Sequence, residues 1–235
     1  MPLALAVLYQ NKPARFRAPA ADIAHALHAL GRPVITRRDA PRPREEYDWI
    51  FADSIEGVRA AAEAGAKTLW LNSAPISSHP AYRAGLAIVG QSPELHPFRE
   101  PEFLNEWLRK NGFAPQISPE FSEAITFHVL PAGAYSDGNQ AAAWCFSSSA
   151  PEPEALRAAA AQVGQALKIR APISIDAARG AGGECRLFNL NLSPDLSGPG
   201  RPGREAAASP FVRAAQAHGW SYGALLENLA AQAWR

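Results

Sequence analysis

Short apolar runs alternate with helix-like segments over the first part of the chain. LALAVLY (residues 3–9) is followed by ADIAHALHALG, whose apolar residues recur at helical spacing and end at Gly31, a typical helix C-cap. PVITRR, YDWIFAD, KTLWLNSA and LAIVGQ predict further strands, with the helix-like SIEGVRAAAEAG among them. Buried strands separated by helices form parallel sheets. We therefore expect residues 1–92 to form an α/β domain, a parallel sheet with flanking helices.

The pattern changes in the second half of the chain. EPEFLNEWLRKNG predicts an amphipathic helix and QISPEFS a linker, so residues 93–122 are assigned to a connecting helix and linker. EAITFHVLPAGAY and AAAWCFSSS predict strands, PEPEALRAAAAQVGQALKI a long helix, and ISIDAARGAGGECRLFNLNLS a hairpin. Two helices follow, and Ser221 is a suitable N-cap for the last one. Antiparallel strands with helices indicate an α+β domain over residues 123–235.

Composition excludes several classes of function. The chain has 235 residues, of which 47% are hydrophobic, as in folded globular proteins. Its 23 basic and 22 acidic residues give a net charge of +1, which disfavours binding to nucleic acid or to an anionic membrane. The N-terminal segment lacks a basic leader, and no apolar run reaches the roughly 18 residues of a membrane span. We expect a cytoplasmic protein.

Two asparagines stand one residue apart near the end of the last predicted strand, in FNLNLSPDLSG. Strand alternation puts Asn189 and Asn191 on one face, and Asp176 on the preceding strand is able to join them. Oxygen ligands of this kind suit Mg²⁺. The alternative is that the asparagines satisfy backbone groups where a strand opens into a loop. His128, in the middle of a strand, is expected to be a core or edge residue.

The order of these motifs resembles the C-terminal end of the ATP-grasp ligases, closest to the D-alanine:D-alanine ligase branch. That family has an Asp-ending strand, then Glu-x-Asn-x-x-Pro-Gly, a loop Ser, Gly-x-Ser-Tyr and a final helix. The matching residues in this chain are Asp176, Asn191, Pro194, Ser209, Gly219, Ser221 and Tyr222. The first domain, and VGQSP with the helix after it, also resemble the family. The resemblance as a whole implies that the C-terminal domain is a reduced ATP-grasp domain.

The resemblance implies a chemistry as well as a fold. Members of the family hold two magnesium ions on ATP with acidic and amide ligands, and they activate a carboxylate as an acyl phosphate that an amine attacks. It therefore implies Mg²⁺ and ATP as cofactors and Asp176, Asn189 and Asn191 as metal ligands. Arg170, Arg186 and Ser209 become candidates for nucleotide or anion binding, because an arginine neutralises phosphate as well as a lysine does.

The sequence departs from the family pattern at several points. Asn189 stands where the pattern has Glu, which removes a negative charge, and Asp195 follows Pro194 in place of Gly. Between Gly112 and Ala124 there is no room for the ATP-covering subdomain with its lysines. Only Lys110 and Lys168 lie near the remaining core.

These departures favour a degenerate ATP-grasp homologue that acts by binding, as a scaffold or accessory protein in a biosynthetic pathway. Its expected partner is a small anionic ligand or a pathway protein, and a homodimer is plausible. Arg15 and Arg17 in the first loop are either anion ligands or surface charges. The alternative is a minimal Mg-ATP-dependent carboxylate-amine ligase that forms an acyl-phosphate intermediate.

Overall fold

The structure, a computed structural model, describes residues 3–10, 16–115, 125–131, 144–147, 154–179 and 185–235. The strands are β1 (Leu5–Tyr9), β2 (Phe51–Ala52), β3 (Thr68–Asn72), β4 (Ala87–Val89), β5 (Ala114–Pro115), β6 (Ile125–Leu130), β7 (Trp144–Ser147), β8 (Ile173–Arg179) and β9 (Cys185–Asn191). The helices are α1 (Arg17–Ala29), α2 (Glu46–Trp49), α3 (Ile55–Glu63), α4 (Pro101–Lys110), α5 (Glu154–Ala166), α6 (Pro210–Ala217) and α7 (Tyr222–Ala231). The predicted linker at 116–122 and the turns at 132–143 and 180–184 lie outside the described residues.

The chain divides into two compact units. The first unit comprises Met1–Pro93 and Asp195–Arg235, and the second comprises Glu94–Pro194. The sequence analysis grouped residues 123–235 in one domain, whereas the structure groups everything after Pro194 with the first unit. The second unit is therefore an insertion, in sequence, between two segments of the first.

The first unit is built on a parallel sheet in the strand order β2-β1-β3-β4. All five residues of β1 and of β3 are buried, which explains why both strands appear in the sequence as continuous apolar runs. The predicted α/β architecture is confirmed. Two of the predicted strands do not form as predicted. Residues 33–38 contribute only one β-bridge, between Val34 and Leu5, and YDWIFAD divides into α2 and the two-residue β2.

The C-terminal segment returns to this sheet through a buried ion cluster. The carboxylate of Asp22 on α1 is fully buried and lies 2.8 Å from Arg201 Nε and 2.8 Å from Arg204 Nη2. Further along, the backbone of Trp234 exchanges hydrogen bonds of 2.7 and 2.9 Å with Ile88 of β4. These long-range contacts, which no local pattern reveals, place Asp195–Arg235 in the first unit.

The second unit is a five-stranded sheet in the order β5-β9-β8-β6-β7, antiparallel except for the β5–β9 pair. One face carries the apolar core. Its members include Phe127, Val129, Ile173, Ile175, Ala177 and Leu187 from the sheet and Leu156, Ala160 and Val163 from α5. The predicted strands, long helix and hairpin of this region are confirmed within the described residues. Among all the residues that the structure describes, no helix is long and apolar enough to cross a membrane.

The ion cluster generates a stability prediction. Asp22→Ala leaves Arg201, whose side chain is only 3% exposed, without its main carboxylate partner. Breaking a buried ion pair on one side costs about 3–5 kcal/mol of unfolding free energy. Urea unfolding is the measurement, with Asp39→Ala, at an exposed carboxylate, as the control expected to change stability by less than about 0.5 kcal/mol. Equal losses in the two variants would contradict the assigned role of Asp22.

Candidate functional site

The second face of the antiparallel sheet carries polar side chains. In the pairing of β6 with β8, Thr126 lies opposite Asp176 and His128 lies opposite Ser174. On the other side of β8, Asn191 of β9 lies opposite Ser174. Side chains of directly paired residues share a face, and this is the face opposite to the apolar core. The fold thus gathers these polar groups in the second unit.

The Asp176 carboxylate is satisfied by two side-chain donors. Thr126 Oγ1 donates to Asp176 Oδ1 at 2.6 Å, and Asn189 Nδ2 donates to Asp176 Oδ2 at 2.6 Å. Each carboxylate oxygen therefore already accepts one short, charge-assisted hydrogen bond. The sequence predicted that Asp176 and Asn189 converge, but it did not identify Thr126. Its signal is the alternation in ITFHVL, which puts Thr126 and His128 on one face.

Asn189 reaches Asp176 because of a β-bulge. Ile175 pairs with Leu190 and Asp176 pairs with Phe188, so Asn189 is an extra residue on β9. Its φ of 50° lies in the left-handed region, which Asn adopts more readily than most residues. Strict strand alternation, on which the sequence argument relied, is therefore interrupted at this residue. The bulge allows the amide of Asn189 to bond the carboxylate.

Asn191 has a local bonding partner. Its Oδ1 accepts a hydrogen bond from the backbone N–H of Ser193 at 3.0 Å, an Asx turn at the point where β9 opens into a loop. This matches the alternative interpretation of the sequence, in which an asparagine satisfies the backbone. The role of Asp176, Asn189 and Asn191 as metal ligands stays a prediction.

The other candidates fall in different places. Arg186 pairs with Ala178, so alternation puts it on the same face as Asp176. Arg170 is exposed between α5 and β8. Ser209 belongs to the first unit and is the N-cap of α6, where its Oγ accepts from the N–H of Val212 at 3.2 Å. A nucleotide or anion role for these three residues stays a prediction.

Acidic and sulfur or imidazole ligands are sparse around Asp176. The described ranges contain no group of three or more His, Cys, Asp or Glu side chains able to hold a metal ion. His128, which lies on the same face, is only 3% exposed, and its Nδ1 lies 2.9 Å from Ser174 Oγ. Burial lowers the pKa of His128 to about 4, while the nearby Asp176 carboxylate raises it by less. His128 is therefore neutral at pH 7.

Comparison with solved structures identifies similar folds. D-alanine-D-alanine ligase from Aeromonas hydrophila gives a TM-score of 0.68 at 12% sequence identity, covering 97% of this chain and 98% of the ligase. D-alanine--D-alanine ligase from Bacillus anthracis, complexed with ATP, gives a TM-score of 0.62 at 9% sequence identity, covering 97% of this chain and 95% of the ligase. The biotin carboxylase domain of a single-chain bacterial carboxylase gives a TM-score of 0.58 at 16% sequence identity, covering 97% of this chain and 68% of that domain. No family model and no curated protein matches the sequence.

These similarities define the fold class. The parallel sheet of the first unit and the antiparallel sheet of the second form an ATP-grasp-like fold, as the resemblance in the sequence predicted. Sequence identities of 9–16% establish a common fold and leave the activity to be argued from the residues of this chain.

The buried imidazole of His128 generates a pH prediction. Its pKa of about 4 in the folded protein is below the ordinary value of 6.5, so the unfolded chain binds a proton that the folded chain does not. Its contribution to stability, about 3 kcal/mol, is present above pH 6.5 and is lost as the pH falls toward 4. We expect His128→Gln to flatten the pH dependence of unfolding in this window. His218→Gln, at an exposed site, should keep it, and identical profiles would contradict the assignment.

Proposed function

We propose that the protein is a degenerate ATP-grasp homologue that acts by binding, as a scaffold or accessory protein of a biosynthetic pathway. The observation that carries this proposal is the hydrogen bond from Asn189 to Asp176. An amide N–H₂ group donates to the carboxylate at the position where the family pattern has a second acid. A neutral donor then satisfies Asp176 without a cation.

The donor set does not fit a resident pair of magnesium ions. Such a site needs carboxylates with oxygens available to the metal. Here one carboxylate accepts hydrogen bonds on both oxygens, and the Asn191 oxygen accepts from Ser193. We therefore assign no catalytic step to magnesium in this protein.

The lysines also support binding rather than phosphoryl transfer. That reaction depends on positive charge held around the transferred group. Lys110 forms an ion pair of 2.6 Å with Glu106 one turn earlier on α4, and Lys168 follows α5 with a left-handed φ of 50°. Neither lysine lies on β8, the strand that carries Asp176.

The partner that we favour is a small anionic ligand. A pathway protein or a second copy of the chain is the alternative, and the oligomeric state measured by sedimentation distinguishes the last of these. A cytoplasmic location is part of the same proposal, since the expected ligands are metabolic intermediates.

The second candidate function is a minimal Mg-ATP-dependent carboxylate-amine ligase. One arrangement favours this function. Asp176 and Arg186 lie on the same face of the sheet, so that face carries both a carboxylate and a guanidinium able to bind phosphate. In that case Asn189 would have to release Asp176 before the carboxylate could bind a metal.

An ADP-release assay separates the two functions. We expect the purified protein, given Mg²⁺, ATP and mixed carboxylic acids and amines, to release ADP no faster than the matched Asp176→Asn variant. The variant controls for contaminating ATPases, because both proteins are purified identically. A wild-type rate on the order of a hundredfold above that of the variant is what a ligase would give, and it would contradict the proposal.

A further inference from the structure

The lateral edge of the parallel sheet in the first unit is covered by a short segment of the chain. β4 is the last strand of the sheet and pairs with β3 on one side. On its other side, the described residues contain one isolated antiparallel bridge, between Ile88 and Trp234. We call residues 233–235, which form this bridge after the end of α7, the strap. Edge strands present backbone groups that another extended segment can bond, so the strap occupies a position suited to β-strand addition.

Trp234 makes the hydrogen bonds that join the strap to β4. The N–H of Ile88 donates to the carbonyl oxygen of Trp234 at 2.7 Å, and the N–H of Trp234 donates to the carbonyl oxygen of Ile88 at 2.9 Å. The indole Nε1 of Trp234 donates to the carbonyl oxygen of Gly90 at 2.8 Å. The two backbone bonds are available to any extended segment. The indole bond, in contrast, requires a side chain that donates from this position, as tryptophan does.

An aromatic surface for the indole ring lies beside β4. The ring of Tyr82 is stacked with the indole of Trp234, with ring centroids 6.2 Å apart and an angle of 27° between the planes. The Tyr82 hydroxyl donates to the carbonyl oxygen of Gln91 at 2.9 Å, which holds the ring next to the end of β4. Both aromatic side chains pack against the apolar core that includes Leu69 and Ile88. The edge therefore combines backbone bonding with a contact for one aromatic side chain, as sites for strand addition do.

The strap is less buried than the strands of the sheet. Trp234 is partly buried, and its neighbours Ala233 and Arg235 are exposed. β1 and β3, in contrast, are paired over five residues each and are buried along their whole length. Segments with few buried contacts open at a lower free energy than the core of the same protein. We therefore expect the strap to detach while the sheet stays folded.

We propose that the edge of β4, with Tyr82 and Gly90, is a docking site for an extended segment of another protein that carries a tryptophan, and that Trp234 occupies this site as a competing ligand. The chemistry of the partner follows from the segment that already fits, which supplies an extended backbone to Ile88 and an indole N–H to Gly90. Tethering raises the effective concentration of the strap to roughly millimolar, so the strap excludes weak partners. The site is remote in sequence from Asp176, and the inference goes beyond the proposed function.

Titration with the peptide AQAWR, the sequence of residues 231–235, tests the site through the NMR signal of the Ile88 amide. We expect Trp234→Ala, which removes the indole anchor of the strap, to bind AQAWR about tenfold more tightly than the wild-type protein, because the competing ligand is weakened. The peptide AQAAR, which lacks the indole, should bind this variant about tenfold more weakly than AQAWR. Trp220→Ala, at a tryptophan between α6 and α7, is the matched control and should bind AQAWR no more tightly than the wild type.

Equal binding of AQAWR by the wild type and Trp234→Ala, or equal binding of the two peptides by that variant, would overturn the site. Trp234→Phe, which keeps a ring for Tyr82 but has no N–H for Gly90, is the second variant if Trp234→Ala does not fold, and it too should bind AQAWR more tightly than the wild type. Loss of the fold in both variants would make the strap a required part of the sheet and would overturn the proposal.

The source of the docked segment is distinguished by sedimentation. A wild-type dimer that Trp234→Ala abolishes would assign the site to the strap of a second copy and would overturn docking of another protein. ADP release by the wild-type protein would overturn the proposed function and leave the peptide result intact.

Discussion

The buried carboxylate of Asp22 determines how the two ends of the chain come together. A buried charge is tolerated only when it is paired and hydrogen-bonded. Arg201 and Arg204 supply the opposite charges and the hydrogen bonds, and each donates from a guanidinium nitrogen 2.8 Å from a carboxylate oxygen of Asp22. The loop carrying these arginines must approach α1 closely. A Cβ added at Gly200 would lie 2.4 Å from the carbonyl oxygen of Asp22, so glycine is required there. The first unit is thus assembled from segments separated by the whole of the second.

A second carboxylate, Asp176, shows how one neighbouring residue changes what a site can do. A glutamate at position 189 would add a negative charge that attracts a cation, whereas the asparagine donates a hydrogen bond and ends the need for one. The bulge that directs this amide depends on a left-handed conformation that Asn tolerates. An ATP-grasp-like fold is therefore compatible with a site in which an amide donates to the carboxylate.

Local sequence patterns predicted most of the strands and helices and one of the helix caps. The parallel sheet, the β8–β9 hairpin and the N-cap at Ser221, whose Oγ accepts from Ala224 N at 3.1 Å, are confirmed. Gly31, at φ 80°, also lies at the predicted end of α1. In each case the signal lies within a few residues.

The features that the sequence did not predict depend on distant residues. Asp22 lies in an alanine-rich helix, and nothing near it in sequence indicates that its partners are at 201 and 204. The register shift at Asn189 comes from pairing with β8, which alternation along β9 does not reveal. The contacts of Tyr47 with Arg17 and with Tyr9 likewise form only when the sheet edge assembles. Arg17 alone was identified as a candidate from the sequence.

Calorimetric titration of the wild-type protein with ATP, in the presence and absence of Mg²⁺, tests the central claim most directly. If the Asn189 amide has replaced the cation beside Asp176, no saturable Mg²⁺-dependent binding of ATP should appear. Asn189→Asp, which puts a second carboxylate in the same bulge, should gain a heat of Mg²⁺ binding that the wild type lacks. Saturable, Mg²⁺-dependent ATP binding by the wild-type protein, abolished by Asp176→Asn, would contradict the account and establish a working nucleotide site.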